Sequence, residues 1–178
     1  MLAYVVLLVA LLSRLLPPVL HVSSMNFTAV GGSLLFFGAR RPRWQSGVAV
    51  VALMVTDYLL TVYAYHYAFH VRGYLVTWAW YAAVCLLGSA LLRKVTVLRV
   101  AVGTVASATS FFLLSNFVVW MGHMYDHTIY GLGLCYLRAL PFYRNDLVST
   151  ALVAGILFGV PVIAAQMTQR VRPREQAV

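Results

Sequence analysis

Two histidine pairs share one spacing in this chain and raise the question of a metal site. Four of the five histidines lie in the segments HYAFH, at 66–70, and HMYDH, at 123–127. On a helix, a four-residue spacing places two imidazoles on one face, which suits a transition metal or haem. With an aspartate between the second pair, the candidate ligands are His66, His70, His123, Asp126 and His127. Proton-sensitive groups or ordinary interfacial side chains are the alternatives, since tyrosines surround the first pair.

Two ionisable residues, Arg14 and Asp57, lie well inside apolar runs. Each is about twelve residues, or ~18 Å of helix, from the expected start of its helix. A charge in hydrocarbon needs a partner or water, so the two side chains are expected to meet. They form either a structural ion pair or the polar floor of a solute cavity, and the two roles are compatible. Thr61 continues the Asp57 face by one helical turn.

The composition decides which solvent these side chains meet. Of 178 residues, 62% are hydrophobic and only 10% are charged, which excludes an ordinary soluble domain. The apolar runs predict helices at 2–20, 27–39, 45–66, 73–92, 97–121 and 147–167. The second is short, so it crosses with help from Arg40 and Arg41 or is buried in protein. We therefore predict an all-α polytopic membrane bundle of about six helices, with one transmembrane domain at 1–170 and a short basic tail at 171–178.

The basic residues at the predicted helix ends are divided unequally between two faces. Six crossings would place nine of them on one face, namely Arg40, Arg41, Arg43, Arg93, Lys94, Arg99, Arg170, Arg172 and Arg174. Only Arg72, Arg138 and Arg144 fall on the other face. The positive-inside rule then predicts that both termini lie in the cytoplasm. This topology explains the net charge of +9 without a nucleic-acid partner.

The last outer connection, roughly 122–146, is long and apolar. The stretch YGLGLCYLRALPFYRN within it predicts an interfacial half helix that ends at Pro141. Beyond it, Ala151, Gly155 and Gly159 recur at four-residue intervals on the last helix. Such small residues mark either packing inside the bundle or the docking of a partner membrane subunit.

Several short stretches, in their order and spacing, resemble a bacterial family of uncharacterised small membrane proteins described as candidate transporters. They are SRLLPP, MNFTAVGGSLLFFGA, TDYLL, SNFVVW and GLGLCYLRALPFYRND. In size, six-helix layout and the asparagine before a short second helix, that family is similar to the S components of energy-coupling factor vitamin transporters. S components commonly dock their partner through an AxxxA pattern on the first helix, and Ala3 and Ala10 lack that spacing.

The resemblance implies a protein of the bacterial inner membrane with a substrate site near the outer mouth. The residues that it indicates are Arg14, Asn26, Asp57, Asn116, Trp120, Arg144, Asn145 and Asp146. Asn26 could equally cap the short helix, and Asn145 or Asp146 the last one. A helix N-terminus near Arg144 would also suit an anionic group. Aromatic residues expected at the mouth would add stacking area, namely Trp78, Trp80, Trp120, Tyr125 and Tyr130.

No motif of an enzyme stands out. The sequence lacks a GxSxG elbow, a phosphate-binding glycine loop and an HExxH pair, and no second intramembrane acid is expected beside Asp57. We therefore predict a non-enzymatic, cofactor-free protein whose outward cavity captures a small solute for uptake, with a membrane subunit or an ATPase module as a possible partner. The alternative is a non-catalytic accessory subunit of a larger membrane complex, with haem or a metal on the outer histidines.

Overall fold

The computed structural model describes residues 1–19 and 27–175, and every regular element in them is helical. The helices are α1 (Leu2–Val19), α2 (Val30–Arg40), α3 (Ser46–Leu59), α4 (Val71–Leu91), α5 (Val97–Met121) and α6 (Ile129–Glu175). A 3-10 turn, Arg43–Gln45, precedes α3, and a π-helical turn, Leu60–Ala64, extends it. The predicted all-α bundle of six helices is confirmed.

Four helical segments are long and apolar enough to cross a membrane. They are Arg43–Ala64, Val71–Leu91, Val97–Met121 and Ile129–Ile163. The apolar part of α1, Leu2–Leu15, is shorter, and α2 has only 11 residues, or ~16 Å of rise. The chain is therefore a multi-pass membrane protein in which the first two helices depend on their neighbours.

Helix α2 lies in the centre of the bundle. Its residues Val30–Gly38 are all buried, and the helix packs against α1, α4 and α6. A short helix enclosed by protein does not need the length of a membrane span, because its free backbone groups do not meet lipid. Of the two interpretations that the sequence left open for this segment, burial in protein is the one observed.

Two glycines allow α2 and α4 to approach closely. A Cβ atom on Gly38 would lie 1.9 Å from the carbonyl oxygen of Cys85, and one on Gly88 would lie 2.2 Å from that of Leu35. Any larger side chain would have to move a helix backbone. The crossing of α2 and α4 therefore depends on glycine at both positions.

Polar side chains join three chain segments at one end of the bundle. The Tyr4 hydroxyl donates to Gln45 Oε1 over 3.1 Å, and Arg41 Nε donates to the same oxygen over 2.6 Å. Arg43 Nε donates to Ser89 Oγ over 3.3 Å. These bonds bring the start of α1, the α2–α3 connection and the last turn of α4 together, and we call this the basic end.

The last helix corrects the prediction of a separate half helix. Helix α6 runs from Ile129 through Pro141 without a break and includes residues 171–175 of the predicted tail. A proline removes one backbone hydrogen bond, which neighbouring helices can offset inside a membrane bundle, so it need not end the helix. Asn145 and Asp146 consequently lie within α6, and their predicted role as its N-cap is wrong.

The small residues on α6 face outward. Added Cβ atoms at Gly155 and Gly159 would meet nothing within 4 Å, and Ile156 beside them is 60% exposed. By contrast, a Cβ atom at Gly103 of α5 would contact Leu35 and Leu92. Internal packing therefore explains the small residue on α5 but not those on α6.

Replacing either crossing glycine should destabilise the bundle. We expect Gly38→Ala and Gly88→Ala each to lower the free energy of unfolding by about 1–3 kcal/mol or more, because overpacking displaces a backbone. Thermal unfolding in detergent micelles measures the effect. Gly155→Ala is the matched control and should change stability little; equal stability of the Gly38 and Gly155 variants would contradict the close crossing.

Candidate functional site

The two buried charges form an ion pair. Arg14 Nη2 on α1 donates to Asp57 Oδ1 on α3. The carboxylate also accepts from Trp78 Nε1 over 2.9 Å and from the Tyr81 hydroxyl over 3.4 Å, both on α4. Asp57 is only 2% exposed. Two neighbouring helices, α1 and α4, therefore contribute donors to a single buried acid on α3. The meeting of Arg14 and Asp57 that their similar depths predicted is observed.

A π-helical turn begins three residues after Asp57. Thr61 lies in it, and its hydroxyl donates to the Asp57 carbonyl over 2.7 Å and also contacts the Tyr74 hydroxyl. The turn ends at Ala64 and is followed by the non-helical segment 65–70, in which His66 has a φ of 56°. Single π turns within α-helices are often found at functional sites, because they redirect side chains.

A cavity of about 160 Å³, the Asp57 cavity, lies beside this turn. Its lining residues come from α1, the segment before α2, α3 with its π turn, and α4; they are Arg14, Thr28, Asp57, Leu60, Thr61, Tyr65 and Tyr74. Three rings stack beside it: Phe69 lies 5.0 Å from Tyr74, and Tyr74 lies 5.9 Å from Trp78 between centroids. The cavity therefore has a charged floor and an aromatic side near the α3–α4 connection.

A second cavity of about 100 Å³, the Asp146 cavity, adjoins the first. Its lining residues are Arg14, Thr28, Val30, Gly31, Trp80, Tyr81, Phe111 and Asp146. Arg14 and Thr28 line both cavities, so the guanidinium is shared between them. Its Nη1 atom is buried and has no hydrogen-bond partner among the described residues.

Asp146 is a second acid inside the bundle, which corrects the sequence-based expectation. It lies in the middle of α6 and is only 6% exposed. Its backbone carbonyl accepts from Ser149 Oγ over 3.0 Å. In the part of the chain that the structure describes, no hydrogen bond or ion pair engages its carboxylate. The burial could have been inferred only if α6 had been continued through Pro141, which would place Asp146 on one face with Thr150.

Other predicted site residues lie away from the two cavities. Asn116 donates to the Phe112 carbonyl over 2.8 Å within α5 and shares a very small pocket with Asp146. Trp120 Nε1 donates to the Asp126 carbonyl over 3.0 Å, and Tyr125 lies beside the Arg138 guanidinium. Neither ring is among the residues that line the Asp57 or Asp146 cavity.

The remaining predicted residues divide into exposed, half-buried and undescribed positions. Arg144 is exposed on α6, so it does not join the buried charges. Asn145 is half-buried and has interactions of its own. Asn26 lies outside the described residues.

The histidine pairs do not lie on helical faces. Residues 65–70 and 122–128 are both connections between helices, so the four-residue spacing does not align the imidazoles. His127 Nε2 contacts the Gly122 carbonyl at 2.9 Å, and its ring meets Trp120 edge-on. Within residues 1–19 and 27–175, no three His, Cys, Asp or Glu side chains are arranged to hold a metal ion. The helical premise of the predicted metal site was wrong.

The site residues that sequence reasoning missed include Thr28, Tyr74 and Tyr81. Tyr74, Trp78 and Tyr81 follow one another at three- and four-residue intervals on α4, a spacing that aligns them on one helical face. That pattern was present in the sequence, and a search for hydrogen-bond donors to Asp57 would have found it. Thr28 lies outside any helix, so no periodicity could have indicated it.

Fold and site together define a multi-pass α-helical membrane protein with ionisable groups buried around two cavities. The model of a family of unknown function, DUF6580, matches residues 1–173, and the chain belongs to that family. No curated protein and no solved structure matches the chain.

Breaking the ion pair on one side should destabilise the protein more than removing both charges. Asp57→Asn leaves Arg14 buried without a counter-charge, which we expect to cost about 3–5 kcal/mol of unfolding free energy. The neutral double variant Arg14→Gln/Asp57→Asn should be more stable than this single variant, because the unpaired arginine is removed. Thermal and denaturant unfolding in the same detergent compares them. A double variant that is less stable than Asp57→Asn would contradict the burial of an unpaired arginine.

Proposed function

We propose that this protein captures a small polar solute from outside the cell for uptake, as a substrate-binding component similar to the S components of energy-coupling factor transporters. The observation that carries the proposal is the position of Arg14, which lines two adjoining cavities while it is paired with Asp57. A purely structural ion pair would be enclosed by packed side chains, since nothing is gained by leaving space beside a buried charge. Here space, charge and aromatic area coincide, as in small-molecule sites.

The arrangement of the basic end supports an outward orientation of the site. Hydrogen bonds hold Arg41 and Arg43 at that end with the start of α1 and the last turn of α4, and Arg40 precedes them in the chain. By the positive-inside rule, this end lies in the cytoplasm of a bacterial cell. The N-terminus and the end of α6 lie on the same side of the membrane. Tyr65 and Tyr74 line the Asp57 cavity beside the opposite end of α4, so the cavity faces the cell exterior.

Uptake by such a component requires a source of energy. We propose a partner membrane subunit or ATPase module, for which the outward small-residue face of α6 at Gly155 and Gly159 provides close helix approach. The protein itself would carry no cofactor and catalyse no reaction, because solute release by a partner needs neither.

The same outward face suits a second candidate, a non-catalytic accessory subunit of a larger membrane complex. The two functions differ in what the purified protein retains. An uptake component should co-purify with a solute and an ATPase module. An accessory subunit should co-purify with a stoichiometric membrane complex and without a solute.

Ligand retention tests the proposal. We expect native mass spectrometry of the gently purified protein to show a small molecule of defined mass, because a buried charged cavity binds its solute strongly. The amount of this molecule retained by the cavity variant Arg14→Gln/Asp57→Asn should be lower by roughly tenfold or more, because two charge-assisted contacts disappear.

The matched control is Asp126→Asn/Arg144→Gln, which removes one acid and one base at exposed positions. It should retain the solute at the level of the unmodified protein. An empty unmodified protein, or equal retention by the cavity and control variants, would overturn solute capture.

A further inference from the structure

The charges around the two cavities do not balance. Among the described residues, the charged ones that line them are Arg14, Asp57 and Asp146. They give one positive and two negative charges when all three are ionised. A net charge enclosed by a membrane bundle is costly, so it requires a counter-ion or a proton. The question is which group neutralises the extra acid.

Arg14 already forms an ion pair with Asp57. The two side chains are in contact, and Asp57 receives further bonds from Trp78 and Tyr81. One arginine can neutralise only one carboxylate. The acid left over is Asp146, whose carboxylate has no described hydrogen-bond donor although the residue is 6% exposed.

Among residues 1–19 and 27–175, no base other than Arg14 lies on the cavity walls beside Asp146. The small pocket on its other side is lined by Phe111, Phe112, Ser115, Asn116, Phe142 and Tyr143, none of which carries a positive charge. Arg144, two residues earlier in the chain, is exposed on another face of α6. The described part of the chain therefore supplies no cation for this carboxylate.

The walls of the Asp146 cavity favour an organic cation over a bare ion. Trp80, Tyr81 and Phe111 line it, and the rings of Trp80 and Phe111 lie 4.7 Å apart between centroids. Aromatic faces attract ammonium groups and repel anions. The cavity of about 100 Å³ exceeds the ~30 Å³ occupied by one water molecule, so it accepts a group of several atoms.

We propose that Asp146 binds the ammonium group of the captured solute, so that the ligand class is a small organic cation. The inference rests on the proposed function and narrows its substrate. Asp146 forms the ion pair, and Trp80, Tyr81 and Phe111 enclose the cationic group. Arg14, which also lines this cavity, stays paired with Asp57.

Matched probes separate charge from shape. Choline and 3,3-dimethylbutan-1-ol have nearly the same shape, but only choline carries a positive charge. We expect choline, or ethanolamine as the primary ammonium probe, to raise the unfolding temperature of the purified protein, and the neutral alcohol to have no effect. If neither cation acts, or if the alcohol acts equally well, the assignment is overturned.

Asp146→Asn tests the residue. The variant should weaken binding of the cationic probe by roughly tenfold or more, because a charge-assisted contact is lost. It should fold at least as stably as the unmodified protein, since an unpaired buried charge is removed. Asp126→Asn, the same change at an exposed acid, is the control and should bind normally.

Three results would contradict the assignment. Unchanged probe binding by Asp146→Asn would exclude the carboxylate as the contact. An inorganic ion site would show a different pattern: sodium would stabilise the unmodified protein, whereas potassium and the organic probes would not. The variant would then lose the stabilisation by sodium. A retained natural solute without a basic nitrogen would overturn the substrate class while leaving solute capture intact, whereas an empty protein would overturn both.

Discussion

The structure depends on one interaction, the ion pair between Arg14 and Asp57 inside the bundle. Either charge alone would cost several kcal/mol in a water-poor interior, so α1 and α3 are held together at this depth. The remaining lone pairs of the carboxylate attract Trp78 and Tyr81, which fixes the rotation of α4 against the same site. Three helices are therefore oriented by a single acid, and the side chains around it become cavity walls.

Helix α2 determines where space is left beside that pair. Gly38 and Gly88 let the C-terminal half of α2 pack in direct backbone contact with α4. Thr28, before α2, and Gly31, in its first turn, lie farther from this crossing and line the Asp146 cavity with Arg14 and Asp146. The bundle is therefore closely packed at the glycine crossing and open around the charges, the division expected when a binding site is built into a helix core.

The features that the sequence predicted are those governed by the membrane itself. The pairing of Arg14 and Asp57 could be predicted from their similar depth in the membrane. The short second helix could be predicted from the length of its apolar run. Asp146 was misplaced, because its burial follows from α6 continuing through Pro141, a local choice that tertiary packing decides. The expected alignment of the histidine pairs is absent for a related reason. Their spacing places two side chains on one face only in a helix, and both pairs lie in connections between helices.

Thr28 offers the most direct test of the central claim that Arg14 lines a solute cavity open to the cell exterior, since it borders both cavities. In a Cys85→Ala/Cys135→Ala background, Thr28→Cys should react with a membrane-impermeant thiol reagent added outside intact cells. The solute retained by the purified protein should protect it. Reaction only in inverted membrane vesicles, or a rate that the solute does not change, would contradict the account.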